Sequence, residues 1–437
     1  MKHAQLRVFS LVLLLLSGMS QAAPPEEVIQ QSFYPYENWT PSYPGYEPGV
    51  VINQGNVDQF REILDAALYR FIKDGWVEIT TAPTTDFALS EDYINATRKH
   101  SEGVKLLDNG TLENVVAGRP FPEEPDINDP NAGQKLIWNY QYGFKAGDSE
   151  HIYPFWWTLR NMNTGRVERI LKFNVKFMNW QQRVTFDPIP ALEKNPSNIY
   201  RSLYMYVEEP FDIKNTQLLI HRYRDDLRRD DVWLYLGFQR RVRRLAAGQI
   251  TDAFLGTDIM IEDFEGYNSR VTDYNWEYGG TRNLLVPFYY HNEMDLADEP
   301  ANDLDGYRFI AAHGKGNCFP KVTYQLRKTH LLNGYPKDSE HPLSKREINM
   351  DAQTSTMSTL LIYDRKGDLW KWFPIGTTHP DHHHPVNHGK GVALYDFASF
   401  IDVQALHCTT LQFKSLITND GIDPKIFSVQ NLRKSGR

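Results

Sequence analysis

Apolar and polar positions along the chain change their period once, and that change divides the sequence. From Asn56 the run "NVDQFREILDAALYRFIKDG" places Phe60, Ile63, Leu64, Ala67, Leu68 and Phe71 at helical spacing, with Asn56 as N-cap and Gly75 as stop. A second helix is predicted in "SEDYINATRKHSEGVKL", starting near Ser90 or Asp92, with "WVEITTAPT" as a short strand between the two. Beyond residue 135 the period becomes two. In "LYMYVEE", Leu203, Met205 and Val207 share one face and Tyr204 and Tyr206 the other, which is the signature of a strand. "TQLLIHRYR" and "DVWLYL" continue the pattern, separated by the turn-like stretches "EPFDIKN" and "DDLRRDD". Helices first and strands later predict an α+β fold built on a meandering antiparallel sheet. Residues 23–55, rich in Pro, Tyr and Gly, read as an extended lead-in, and no repeat of fixed period occurs.

The N-terminus adds a compartment. Lys2 and Arg7 precede the apolar run from Val8 to Leu16, and the small residues Ser20, Ala22 and Ala23 follow. This predicts a signal peptide over residues 1–22, cleaved near Ala22, and an exported protein. No cysteine stands at the cleavage region to accept lipid, and no later window approaches the length of a transmembrane helix. Losing Lys2 and Arg7 takes the formal charge from -8 to -10, which argues against nucleic acid as a partner. Cys318 and Cys408 are the only cysteines. Export favours a disulfide between them, with two buried free thiols as the alternative.

Charge matters again in "WLYLGFQRRVRRL", residues 233–245, where four arginines follow an apolar strand. A hairpin about Gly237, Phe238 and Gln239 would put Arg241 and Arg243 on one face and Arg240, Val242 and Arg244 on the other. Carboxylates lie on both sides in sequence, among them Asp258, Glu262 and Asp263. The expectation is an ion-pair network at the rim of the sheet, with an anionic-headgroup site as the alternative.

These residues also carry a likeness. "DDVWLYLGFQRRVRRL" followed by "DAFLGTDIMIEDFEGYNSRVTDYNWE" resembles the tryptophan-strand, arginine-run and Gly-[Ser/Thr]-Asp pattern of LolA-like periplasmic proteins. "GRPFPEEPDINDPNAGQKLIWNYQY" and "NLLVPFYYHNE" resemble the exported family called domain of unknown function 1329. The resemblance implies a LolA-like incomplete antiparallel β-barrel, a highly curved sheet whose concave apolar face is covered by helices. It implies a periplasmic, non-enzymatic carrier or accessory protein for a lipid or other hydrophobic molecule. Its implied partners are an RND-type exporter of the inner membrane and an outer-membrane protein. On this reading the half-barrel spans residues 56–375, and residues 376–437 form a C-terminal extension. Near its C-terminus the resembled family shows a strand with Arg, an aromatic and Asp followed by Trp; in "SKREINMDAQTST" Arg346 and Asp351 keep this, while Ile348 and Asn349 stand at the aromatic positions.

Candidate chemistry is sparse. Within "HPDHHHPVNHG" stand His379, Asp381, His382, His383, His384 and His388, donors suited to zinc, copper or nickel. Adjacent histidines on a Pro-bounded loop do not converge on one ion without a scaffold, so a solvated loop is expected and no metal or other cofactor is assigned. Motifs of hydrolases and phosphate-binding loops are missing from the sequence, and no catalytic residue is assigned. For a hydrophobic ligand, the cavity candidates are the strand aromatics Trp156, Trp157, Tyr204, Tyr206, Trp233 and Tyr235. A metal-dependent hydrolase using the histidine loop and a structural envelope adaptor without ligand are the competing classes.

Overall fold

A computed structural model describes residues 23–297 and 305–436, so the expected signal peptide lies outside the described residues. Its frame is one 16-stranded sheet. In chain order the strands are β1 (Val51–Ile52), β2 (Ile79–Ala82), β3 (Ser149–Asn161), β4 (Val167–Asn179), β5 (Ile199–Glu209), β6 (Gln217–Tyr223), β7 (Asp231–Leu236) and β8 (Arg241–Arg244). They continue as β9 (Tyr274–Val286), β10 (Phe288–Tyr289), β11 (Thr323–Pro336), β12 (Leu343–Asp351), β13 (Met357–Asp364), β14 (Leu369–Thr378), β15 (Leu394–Asp402) and β16 (His407–Ile417).

Two antiparallel meanders make up the sheet, one from β11 to β16 and the other from β3 to β8. They meet where β16 pairs with β3, the register running from His407 opposite Asn161 to Ile417 opposite Glu150. β9 lies along β11, and the arginine strand β8 is the far edge, so the sheet does not close. The hairpin between β7 and β8 has the expected position, with Arg241 opposite Leu236 and Arg244 opposite Trp233.

Residues 376–437 are not an extension. β15 and β16 within them are interior strands at the join of the two meanders. Every residue of β15 is buried, so it lacks the polar face that marks a one-sided strand in sequence. The single helix expected from Asn56 is also divided, into a 3₁₀ stretch, Val57–Ile63, and helix α2, Ala66–Lys73. Asp65 causes the break: its carboxylate accepts hydrogen bonds from the backbone N–H groups of Ala67 and Leu68 and from Trp372 Nε1. Helix α3, Glu91–His100, lies where expected, whereas α1, Glu26–Phe33, interrupts the supposed extended lead-in. Two further helices are α4, Ala132–Gln141, and α5, Val429–Ser435.

These helices sort by face. The inner face of the sheet packs against α4 and an irregular stretch at residues 253–273 in one large apolar cluster. α2 covers the outer face over the first meander, where Phe71 stacks on Trp76 and meets Trp372 edge-on. α5 covers the outer face over the second meander. One helix and an irregular segment thus pack in the large cluster on one face, and helices α2 and α5 pack on the other. Cys318 and Cys408 form a disulfide with Cα atoms 6.0 Å apart, fastening residues 309–322 to β16.

Candidate functional site

A narrow void of about 50 Å³ lies on the inner face of the sheet. Ile375, Ala398, Leu411, Phe155, Val175 and Leu203 all line it, one from each of six neighbouring strands, β14, β15, β16, β3, β4 and β5. Laid flat, six strands would span about 24 Å at the usual spacing. One small void touches both ends of that span only because the sheet curls around it. The lining is aromatic as well as aliphatic: Phe155 and Phe413 stack with centroids 4.4 Å apart, and Phe373 and Phe400 at 3.6 Å.

The void is long. Glu150 and Trp157 both line it, seven positions apart on β3, a separation of about 20 Å along an extended strand. Its two ends differ chemically. At the Trp157 end the indole packs edge-on to Phe254 and Phe264, and its buried Nε1 has no hydrogen-bond partner. At the other end lie Lys145, Glu150 and Glu265. Burial, reinforced by neighbouring Glu265, pushes the Glu150 carboxyl up to about 8, against a hydrogen bond from Ser415. Burial also pulls the Lys145 ammonium down to about 7, although Glu265 opposes the shift. Lys145 Nζ donates to the Tyr140 carbonyl at 3.1 Å and sits 3.8 Å from the centre of the Tyr140 ring.

Residues 253–266 act as a plug over the void. Leu255 and Glu265 have positive φ, so this stretch cannot continue as helix or strand. At Gly266, with φ of 103°, a Cβ would come within 2.8 Å of Met357 Sδ, so a side chain would force the plug away from β13. Five ionic contacts hold it down. Arg201 on β5 donates to both oxygens of Glu265, at 2.8 and 3.0 Å. Arg346 on β12 meets Asp263 at 2.7 Å and Glu262 at 3.4 Å, with His341 also against Glu262 at 2.8 Å. His407 Nδ1 lies 2.8 Å from Asp258. Burial alone would raise Glu262 and Glu265, but Arg346 and Arg201 respectively hold them below the ordinary value.

The sequence matches the family described as protein of unknown function (DUF1329) over residues 51–433, a range that contains every residue lining the void. The chain belongs to the DUF1329 family. An uncharacterised protein of Pseudomonas aeruginosa is 23% identical over 345 residues, which are 75% of this chain and 69% of that protein. The crystal structure of a DUF1329 family protein from Desulfovibrio piger is similar with a TM-score of 0.47 and 16% identity, over 70% of this chain and 100% of the other. A LolA superfamily protein from Nitrosomonas europaea is similar with a TM-score of 0.40 and 11% identity, over 68% of this chain and 98% of the other.

Of the aromatic residues singled out in this DUF1329 chain, the structure brings Trp157 alone to the void. Trp156 points the other way, towards Tyr307 and Phe309. Tyr204, Tyr206, Trp233 and Tyr235 belong to the outer-face cluster under the C-terminal residues, where Tyr235 donates to the Gly436 carbonyl and Tyr204 to Gln217. Sequence alternation separates the two faces of a strand but does not say which one a ligand would see. Lys145 and Glu150 escaped notice because a lone lysine in a loop and a carboxylate at a strand start carry no pattern.

The arginine network is corrected. Arg244 pairs with Asp231 across the hairpin, and Arg243 donates to Gln239. Arg240 and Arg241 are exposed and have no carboxylate partner among the described residues. Asp258, Glu262 and Asp263 go instead to His407, His341 and Arg346, because the plug carries them inward while β8 stays at the open edge.

The histidine loop is corrected too, since His383 is buried rather than solvated. With His291 and Asp396 it forms a cluster in which His291 Nδ1 lies 2.8 Å from Asp396 and His383 Nε2 lies 2.8 Å from Tyr307 Oη. Burial would lower His291, but Asp396 raises it above its ordinary value; His383 is lowered by burial. Asn387 settles the proton of His383. Its Oδ1 accepts from the Ile417 N–H and its Nδ2 donates to Ser415 O, so that Nδ2 also faces His383 Nδ1 at 3.1 Å. Nδ1 therefore accepts, and Nε2 carries the proton towards Tyr307 and Asp396. A metal ligand would need the opposite arrangement, with the lone pair at Nε2. The donor set fits a hydrogen-bonded clasp between the loop and β15.

Proposed function

We propose that this DUF1329 protein is a non-enzymatic carrier that holds a hydrophobic, chain-shaped molecule along the inner face of its curled sheet. One observation carries the reading: an apolar void, lined by six adjacent strands, is covered by a segment of short, broken 3₁₀ turns. Lipid-sized ligands need more room than about 50 Å³, so on this reading the void widens on loading. Loading displaces the plug, chiefly Phe254 and Phe264, and the ligand takes over their contacts with Trp157. Burial of each methylene contributes about 0.8 kcal/mol, enough for a long chain to be held without covalent chemistry. The N-terminal export signal and the resemblance of the arginine strand to LolA-like proteins support a periplasmic carrier, working between an inner-membrane exporter and an outer-membrane partner. No helix among the described residues is long and apolar enough to cross a membrane.

Solvent extraction of protein purified from its native envelope, followed by mass spectrometry, tests the proposal. A stoichiometric apolar compound is expected, reduced in Ala398→Leu, whose added carbons occupy the void. Extracts indistinguishable from those of an unrelated exported protein would count against it.

A further inference from the structure

Resting on the carrier reading, we propose that the polar end of the void receives a carboxylate, so that the molecule carried is a long-chain carboxylic acid whose head lies between Lys145 and Glu150. The argument begins with pairing. Around this end, Arg201 is matched bidentately to Glu265, and Asp263 is matched to Arg346. Lys145 and Glu150 line the same void and are both buried, yet among the described residues neither has an ion-pair partner within 4.0 Å. Burial pulls the Lys145 ammonium down to about 7, so it is only partly charged near neutral pH, and an arriving anion favours the charged form.

Donor chemistry narrows the head group. Lys145 spends one N–H on the Tyr140 carbonyl and has two more to give. Glu150, kept protonated near neutral pH by its surroundings, offers an O–H. Both groups donate, and a carboxylate, which only accepts, satisfies them together. Charge points the same way. Arg201 and Glu265 cancel, neutral Glu150 adds nothing, and Asp263 and Glu262 are both engaged by Arg346, so the cation left for a head group is Lys145. An alcohol or ester leaves the ammonium unbalanced, a phosphate overbalances it, and a cationic head adds to it. Length agrees as well, because the apolar lining runs about 20 Å from Glu150 to Trp157 on β3.

The test uses the mature full chain loaded with N-phenyl-1-naphthylamine, an uncharged fluorescent probe that reports the apolar void whatever the head group. Hexadecanoic acid, hexadecanol and methyl hexadecanoate then compete for it. The acid is expected to displace the probe at a concentration lower by about tenfold or more than the alcohol or ester. Lys145→Met should remove that preference while the alcohol competes as before, and Glu150→Gln, which keeps a donor, should retain most of it. Equal displacement by acid, alcohol and ester in the unmodified protein would overturn the carboxylate assignment and leave the carrier standing. A preference for the acid that survives in folded Lys145→Met would also overturn it. If the probe itself fails to bind, the carrier reading falls, and this inference with it.

Discussion

Arg346 Nη1 lies 2.7 Å from Asp263 Oδ1 with both side chains wholly buried, and this contact fastens the plug to strand β12. Glu262 approaches the same guanidinium, so one cation from the sheet meets two acids from the segment that covers the void. Such a contact specifies where the plug sits more than it stabilises the fold.

Removing one side of the contact therefore tests it. Arg346→Met leaves Asp263 buried without a cation and Glu262 with His341 alone, and should lower unfolding free energy by about 3–5 kcal/mol. The triple variant with Asp263→Asn and Glu262→Gln should recover a large part of that loss in urea denaturation. Equal losses in the single and triple variants would show that the charges are not coupled.

The arginine strand behaves oppositely. Arg241→Glu and Arg243→Glu should each change stability by less than about 0.5 kcal/mol, because neither guanidinium reaches a buried acid. Arg244→Glu faces Asp231 across the hairpin and should cost more. Thermal melts of the three variants compare them directly.

Why the arginines were legible as a strand but not as partners has a physical reason. Period-two alternation records which side chains are wetted, and it located β5, β6, β7 and the β7–β8 hairpin. Ion pairs depend on where distant segments return. Asp258, Glu262 and Asp263 follow the arginines closely in sequence, yet positive φ at Leu255 and Glu265 turns their segment under the sheet, to His407 and Arg346. β15 was unreadable for a related reason, since a strand buried on both faces shows no alternation. At the void, alternation put Trp156 and Trp157 on opposite faces, but only the curl of the sheet makes the Trp157 face the enclosed one.

A pH dependence follows from Glu150. Its folded carboxyl stands at about 8 against an ordinary 4.5, so the folded state holds the proton more tightly than the unfolded chain. The stability this contributes is complete below about 4.5 and is lost as pH rises through about 8. Lys145, lowered from 10.5 to about 7, acts in the reverse sense, and stability recovers between those values as pH rises. Glu150→Gln should flatten the decline between pH 4.5 and 8 in denaturation curves taken across that range. An unchanged slope would show that Glu150 is not the group responsible.

The Cys318–Cys408 bridge closes a loop with a sequence separation of 90. The chain-entropy model assigns a loop of this size about 4.6 kcal/mol. Non-reducing peptide mapping of the purified protein should recover the two cysteines as one linked pair, and Cys318→Ser with Cys408→Ser should lower the melting temperature. Free thiols at both positions would contradict the linkage.

The central claim is that the inner-face void is where an apolar ligand is held, and Trp157 is placed to report it. The most direct measurement is a titration of the delipidated mature protein with N-phenyl-1-naphthylamine, following probe emission and tryptophan quenching in the unmodified protein, in Trp157→Phe and in Ala398→Leu. The account predicts saturable binding at one site, loss of most of the quenching in Trp157→Phe with affinity nearly kept, and weakened binding in folded Ala398→Leu. Undiminished binding in Ala398→Leu, or undiminished quenching without Trp157, would place the ligand elsewhere and contradict the account.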